Sequence, residues 1–192
     1  MIILNNRIHK ALTDPVRTAM FSDDLRHRFY LDIIWDQSIP PLVCIGLNPS
    51  TADHNKDDPT LRKVQGFARR WGKGGVRMLN VYTYRSTDPR GLKQVEDPVV
   101  EVIGWDLARE VNAHYIEAPL RQTCKAYNGQ QIVVLCAWGT KGGQKAEYIS
   151  ECFHSMKRSG CNLLTMCLRT TKDGHPEHPL YVPYETEPKV WS

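Results

Sequence analysis

The chain has 192 residues, 41% of them hydrophobic and 24% charged, with a formal net charge of +4. That is enough chain for a single domain (1–192, core about 28–184) with a full core, and the mild charge alone identifies no partner. No apolar run approaches the roughly 18 residues of a membrane span, and Met1-Ile2-Ile3-Leu4 is too short for a signal-peptide core, so a cytoplasmic protein without a membrane partner, monomeric or weakly oligomeric, is expected.

The stretch up to residue 24 has weak periodicity and is expected to wrap the domain edge. Residues 28–36 are rich in β-formers and read as a strand. Residues 42–47 form a short continuous apolar run, the mark of a strand buried on both faces of a parallel sheet. A helix then starts with Asp58 as cap and Pro59 at its first position; Leu61, Val64, Phe67, Ala68 and Trp71 recur at helical spacing, and Gly72 ends it. Residues 76–81 give a second buried strand, and residues 99–125 a helix expected to break near Pro119. A third buried strand follows at 131–138, a flexible loop at 139–143, a helix at 144–156 and a fourth strand at 161–168. The tail, with Pro176, Pro179, Pro183 and Pro188, reads as extended chain packed across the surface.

This alternation predicts a three-layer α/β/α sandwich around a central, mostly parallel four-stranded sheet. Ligands of such sheets sit in the crevice beyond the carboxyl ends of the strands. All four strands run into polar segments: Asn48-Pro49-Ser50, Tyr82-Thr83-Tyr84-Arg85, Trp138-Gly139-Thr140-Lys141 and Thr170-Thr171-Lys172-Asp173-Gly174-His175. One topological rule therefore gathers them at one edge.

In the first segment Pro49 biases Asn48 away from helical geometry and so fixes its amide. The amides and hydroxyls of Ser50 and Thr51 can hold an anion or a water; the alternative is a plain Asx or Ser/Thr turn. Asp53 and Asp57 offer oxygen ligands for Mg²⁺, against the commoner reading as solvated loop acids, whereas Asp58 is explained as a cap. Asn80, Tyr82 and Tyr84 would share one strand face, suited to reading and stacking a base or simply to packing. In Lys172-Asp173-Gly174-His175-Pro176-Glu177-His178-Pro179, each histidine is stiffened by a following proline, which suits hydrogen bonding or proton transfer; the alternative is a surface loop whose histidines cap backbone groups. No third ligand with recognisable spacing accompanies the two histidines. The run Arg62, Lys63, Arg69, Arg70, Lys73 and Arg77 lacks acids and reads equally as a phosphate footprint or a solvated helix face. The six cysteines are scattered without a C-x-x-C pair, which favours buried thiols over disulfides, zinc or iron–sulfur sites.

With these segments in view, the chain resembles the domain-of-unknown-function-1643 family of bacterial and phage proteins. The matching pieces include Leu47-Asn48-Pro49-Ser50-Thr51-Ala52-Asp53, Asp57-Asp58-Pro59-Thr60, Gly66-Phe67-Ala68-Arg69-Arg70-Trp71-Gly72, Asn80-Val81-Tyr82, Ala137-Trp138-Gly139 and Thr171-Lys172-Asp173-Gly174-His175-Pro176. More distantly it is similar to the uracil-DNA glycosylase superfamily, whose mismatch-specific branch reads Gly-Ile-Asn-Pro-Gly where this chain has Gly46-Leu47-Asn48-Pro49-Ser50. The family's closing His-Pro-Ser-Pro-Leu is expanded here to His175-Pro176-Glu177-His178-Pro179-Leu180, so either histidine can hold that place. The Asp-Pro-Tyr motif of the commonest uracil-removing branch is absent.

That second resemblance implies cleavage of an N-glycosidic bond in a flipped nucleotide, with nucleic acid or a nucleotide as partner and without a metal or other cofactor. It implies that Asn48 positions water and that His175 or His178 stabilises the departing base. Asn80 would read the base, and Tyr82 or Trp138 would stack on it. Pro49, Thr51, Asp53, Arg85 and Asp173 fall within or beside the same segments, while Ser50, Lys172, Arg62, Arg69, Arg70 and Lys73 would hold phosphates. Hydrolysis or transfer on a small nucleotide or nucleoside, and binding without catalysis, stand as alternatives.

Overall fold

The computed structural model describes residues 15–53, 55–88, 92 and 105–191. Apolar runs that are continuous in sequence become strands covered on both faces: β3 (Leu42–Gly46) and β5 (Ile132–Ala137) are buried at every position. Alternate side chains feed two different cores, Leu42 and Cys44 one way, Val43 and Ile45 the other.

Seven strands form one sheet in the order β1-β2-β4-β3-β5-β6-β7. The four expected buried strands, β4 (Gly75–Asn80), β3, β5 and β6 (Leu163–Cys167), are mutually parallel. The expectation of a four-stranded sheet was too narrow. β2 (Arg28–Ile34) pairs antiparallel with β4, and β1 (Val16–Phe21) pairs antiparallel with β2. At the other edge β7 (Lys189–Val190) pairs antiparallel with β6. The segment around 16–21 is thus a strand and not an irregular wrap. Its solvent-facing row includes exposed Val16 and Met20, which blurs the alternation that would have revealed it.

Helices cover both faces. α1 (Pro59–Arg70) buries Leu61, Val64, Phe67 and Ala68 on one side of the sheet. On the other side, α2 (Trp105–Ala126) contributes Ile116 and Leu120, and α3 (Gly143–Arg158) contributes Ile149, Cys152, Phe153 and Met156. Each large apolar side chain fully buried in this way stabilises the fold by about 1.5–3 kcal/mol. Asp58 caps α1 as expected, its Oδ1 accepting the Leu61 N–H at 2.7 Å. The expected break at Pro119 does not occur: α2 runs through it. Proline removes one helical hydrogen bond, but Ile116 and Leu120 on either side are pinned in the core. The first residues assigned to that helix, 99–104, lie outside the described residues.

The tail straps the domain. Tyr184 packs on α1, its ring centroid 5.0 Å from that of Phe67 and 3.7 Å from Lys63 Nζ. Further on, Trp191 pairs with Thr165 of β6 and lies edge-on to Trp138, centroids 5.0 Å apart.

Candidate functional site

Because β2 runs antiparallel, its first residue, Arg28, arrives at the same edge as the carboxyl ends of β3 and β4. There, on the α1 side of the sheet, a cleft of about 400 Å³ opens. β3 and the turn after it supply Gly46, Leu47, Asn48 and Ser50; β4 supplies Met78 and Asn80; the start of α1 lies at its rim with the cap Asp58 and Thr60. The tail closes it with His178, Leu180 and Tyr181.

How the tail gets there is local. Thr171 and His175 pair across a turn, and Gly174 takes a positive φ of 80° that a side chain would strain. The reversed chain then pairs Thr170 with Pro176, and the Gly139 N–H donates to the Pro176 carbonyl at 2.8 Å. That places His178 at the start of a single 3-10 turn (Pro179–Tyr181), whose Leu180 N–H donates to His178 Nδ1 at 3.3 Å. A neutral ring held this way carries its proton on Nε2. Burial pushes the His178 pKa down, opposed by the nearby Asp58 carboxylate, so the ring stays neutral at ordinary pH.

Asn48 is clamped from one end. Its Nδ2 donates to the carbonyls of Pro49 (3.0 Å) and Ser86 (2.8 Å). The Ser86 N–H donates back to Pro49 O at 2.9 Å, so the turn is tied to the 86–88 segment. With both amide hydrogens committed, Oδ1 is the group Asn48 has left to offer. Asn80 shows the opposite polarity. Its Oδ1 accepts from Arg28 Nη2 at 3.1 Å, leaving Nδ2 as the free group.

Arg28 is 3% exposed and also donates to Ala52 O at 2.9 Å; its Nε is buried without a partner. Burial brings its pKa down to about 10, with Asp58 as the main opposing influence, so the guanidinium remains charged. The inner end of the cleft thus holds a buried cation facing two neutral carbonyl oxygens, with the Asp58 carboxylate nearby.

The other expected residues lie elsewhere. Pro49 is buried beneath the turn and Thr51 is exposed beside it. Asp53 organises its own loop, Oδ1 accepting the Asn55 and Lys56 N–H groups at 2.7 and 2.8 Å. Asp57 is bonded to Arg17 and Gln65. Among the described residues no group of three His, Cys, Asp or Glu side chains is close enough to hold a metal ion. β4 ends at Asn80, so strict alternation stops there. Val81 and Tyr82 then pack toward the second core, and Tyr82 does not share a face with Asn80. Arg85 donates to Leu25 O at 3.0 Å and its guanidinium lies over Phe21. Trp138 is 1% exposed and packed against Trp191, not presented to a ligand. Lys172, Asp173 and His175 sit in the hairpin beside Thr140, whose Oγ1 lies 3.4 Å from Asp173 Oδ2. None of these three lines the cleft.

The basic run on α1 is largely spent on the protein. Arg62 Nη1 donates to Asp57 O at 2.8 Å, Arg69 lies over the Trp35 ring at 4.1 Å, and Arg70 and Lys63 flank Tyr184. Arg77 is ion-paired with Asp32. α1 starts at the cleft and runs away from it. Arg69, Arg70 and Lys73 therefore lie most of its roughly 18 Å length distant. No cysteine lines the cleft, and burial pushes the Cys44, Cys124 and Cys152 thiols up to about 12.

Arg28 was missed because a basic residue opening a strand reads as solvent-facing. The signal lay in strand direction: an antiparallel neighbour brings its first residue to the ligand edge. Ser86 and Thr87 were missed for want of any motif. No helix of the described residues is long and apolar enough to cross a membrane.

A family model described as "Protein of unknown function (DUF1643)" matches residues 28–180. No curated protein matches the chain, and no solved structure does. The matched span begins at Arg28 and ends at Leu180, two of the cleft's own lining residues, and covers well over half of the sequence: the chain belongs to the DUF1643 family.

Proposed function

We propose that the cleft recognises a nucleobase and that the protein is an N-glycosidic hydrolase of uracil-DNA-glycosylase type acting on a flipped base, normal or modified. The observation that carries this reading is the meeting of Asn48, Asn80 and His178 around one cleft, three polar side chains with complementary free groups. The distant likeness of the Asn48 and His178 segments to that superfamily motivates the choice of reaction.

In this reading water is held by Asn48 Oδ1, the acceptor left after its Nδ2 is clamped. The C1′–N bond breaks with its electron pair leaving on the base, water adds to C1′, and the proton lost by water neutralises the base. His178 Nε2–H donates to the departing base, where negative charge develops. A neutral imidazole suits that role, since it donates a hydrogen bond without having to surrender a charge. Asn80 holds the base edge.

A cleft of about 400 Å³ also falls in the range of small-molecule sites, and the cations of α1 are mostly engaged or remote. Both facts favour a second reading, hydrolysis or transfer on a free nucleotide or nucleoside. Oligonucleotides carrying uracil, hypoxanthine, hydroxymethyluracil or mismatches separate the readings. The proposed activity leaves alkali-labile abasic sites with wild-type protein and forms them about 10²–10³-fold more slowly with Asn48→Ala. Turnover of free nucleosides alone selects the second reading, and salt-sensitive binding without product selects a non-catalytic binder.

A further inference from the structure

Of the six cysteines, Cys44, Cys136, Cys152 and Cys167 are buried. The remaining two, Cys124 and Cys161, are half-buried, and the fold brings them together. Cys124 lies one turn beyond Arg121 on α2, so the two share a helix face. Arg121 Nη1 donates to Ser159 Oγ at 3.0 Å, which fastens that face to the turn closing α3. Cys161 belongs to the same turn, its N–H donating to Met156 O at 3.0 Å. Both side chains pack against the second core, and their thiols hydrogen-bond to each other. Burial first, and then that hydrogen bond, pushes the Cys124 thiol up to about 12, so Cys124 keeps its proton and Cys161 is the accepting sulfur. Arg121 sets a positive charge beside the pair. A partly exposed sulfur next to a cation is the setting in which cysteines react with oxidants. Among the described residues no group of three His, Cys, Asp or Glu side chains could hold a metal ion, so the chemistry left to the pair is that of a dithiol.

We propose that Cys124 and Cys161 form an oxidation site, a dithiol that a peroxide converts to a disulfide and a thiol reductant restores. The Cys161 sulfur attacks one oxygen of hydrogen peroxide. The O–O bond breaks with its electron pair on the leaving hydroxide, which takes the Cys161 proton and departs as water, leaving a sulfenic acid. The Cys124 sulfur then attacks the Cys161 sulfur, the S–O bond breaks, and the hydroxide released takes the Cys124 proton as a second water. Two electrons pass from the two thiols to one peroxide. The disulfide staples α2 to the turn before β6. That turn feeds the amino end of β6, at the edge of the sheet opposite the cleft, so the site does not depend on the function proposed for the cleft.

The test treats the reduced full chain with hydrogen peroxide, blocks the remaining thiols with an alkylating reagent in denaturant, and reads intact mass and a peptide map. Wild-type protein should lose two hydrogens, yield one peptide pair joined through Cys124 and Cys161, and return to its starting mass with dithiothreitol. Cys124→Ser should stop at the sulfenic acid, trapped by dimedone on Cys161. Cys161→Ser should consume peroxide about tenfold more slowly or less. Melting temperatures show that both variants are folded, and the wild-type map decides the matter even where one is not. A wild-type chain that keeps all six thiols open to alkylation, that joins Cys161 to Cys152 instead, or that links only between chains overturns the proposal.

Discussion

Two groups of polar residues share the carboxyl edge of the sheet, and they differ in what they are fastened to. Around β3 and β4, Asn48, Asn80 and His178 are each held from one side by the protein, through Ser86 and Pro49, Arg28, and Leu180. Each keeps a free hydrogen-bonding group in a cleft. Beyond β5 and β6, the Thr140 side chain bonds to those of Thr171 and Asp173 at the base and tip of the hairpin, and His175 joins them only through its backbone N–H, which donates to Thr171 Oγ1. The residue types are alike. What separates a site from a turn here is half-satisfaction: a side chain oriented by one partner and left open at the other end is pre-organised, whereas one satisfied within its own loop is not.

The sharpest way to break this comparison is to remove its two ends separately. Asn48→Ala should lower the rate of base release by about 10²–10³-fold, the scale of losing one pre-organised polar group. Thr171→Ala or Asp173→Ala should change it by less than about twofold, with single-turnover rates as the measure. The two histidines give the next largest contrast. His178→Ala should cost about 10²-fold in single-turnover rate, as expected for a group stabilising a leaving base, and His175→Ala should be nearly silent. Equal losses from both would merge the two regions into one.

Much of the scaffold was legible and much of the site was not. The four parallel strands announce themselves as unbroken apolar runs because both of their faces are covered. β1 stayed hidden because an edge strand with Val16 and Met20 on its solvent side carries little polar contrast. Asn48 and Asn80 could be picked out because each ends a buried strand. The choice between His175 and His178 depended on the path of the tail after Gly174, which no local pattern encodes. Arg28 depended on partners at Ala52 and Asn80, far away in the chain. The basic run of α1 was read correctly as a run, but the helix carries most of it away from the cleft.

The tail offers a stability test of the same contrast. Gly66 sits beneath Tyr184, and a Cβ there would fall 2.4 Å from the Tyr184 hydroxyl. Gly66→Ala should therefore destabilise the fold by about 1–3 kcal/mol, read as a lower denaturation midpoint. By loosening the strap it should also weaken functions that need His178 more than those that need Asn48.

The smallest expected effect is on the pH dependence of stability. Burial depresses the pKa of His178 in the folded state below its ordinary 6.5, so below about that pH the unfolded chain takes up a proton that the folded chain does not. Stability from this group is complete above the unfolded pKa and declines as pH falls through it. His178→Gln should flatten that acidic slope in denaturant titrations; an unchanged slope would assign it to other groups.

The most direct test of the central claim follows the side-chain resonances of Asn48, Asn80 and His178 by nuclear magnetic resonance while a free nucleobase such as uracil is added. The account predicts that all three shift together along one binding curve, while the Trp138 indole and the His175 ring stay still. Shifts centred on His175 and the hairpin, with Asn48 and Asn80 unmoved, would contradict it.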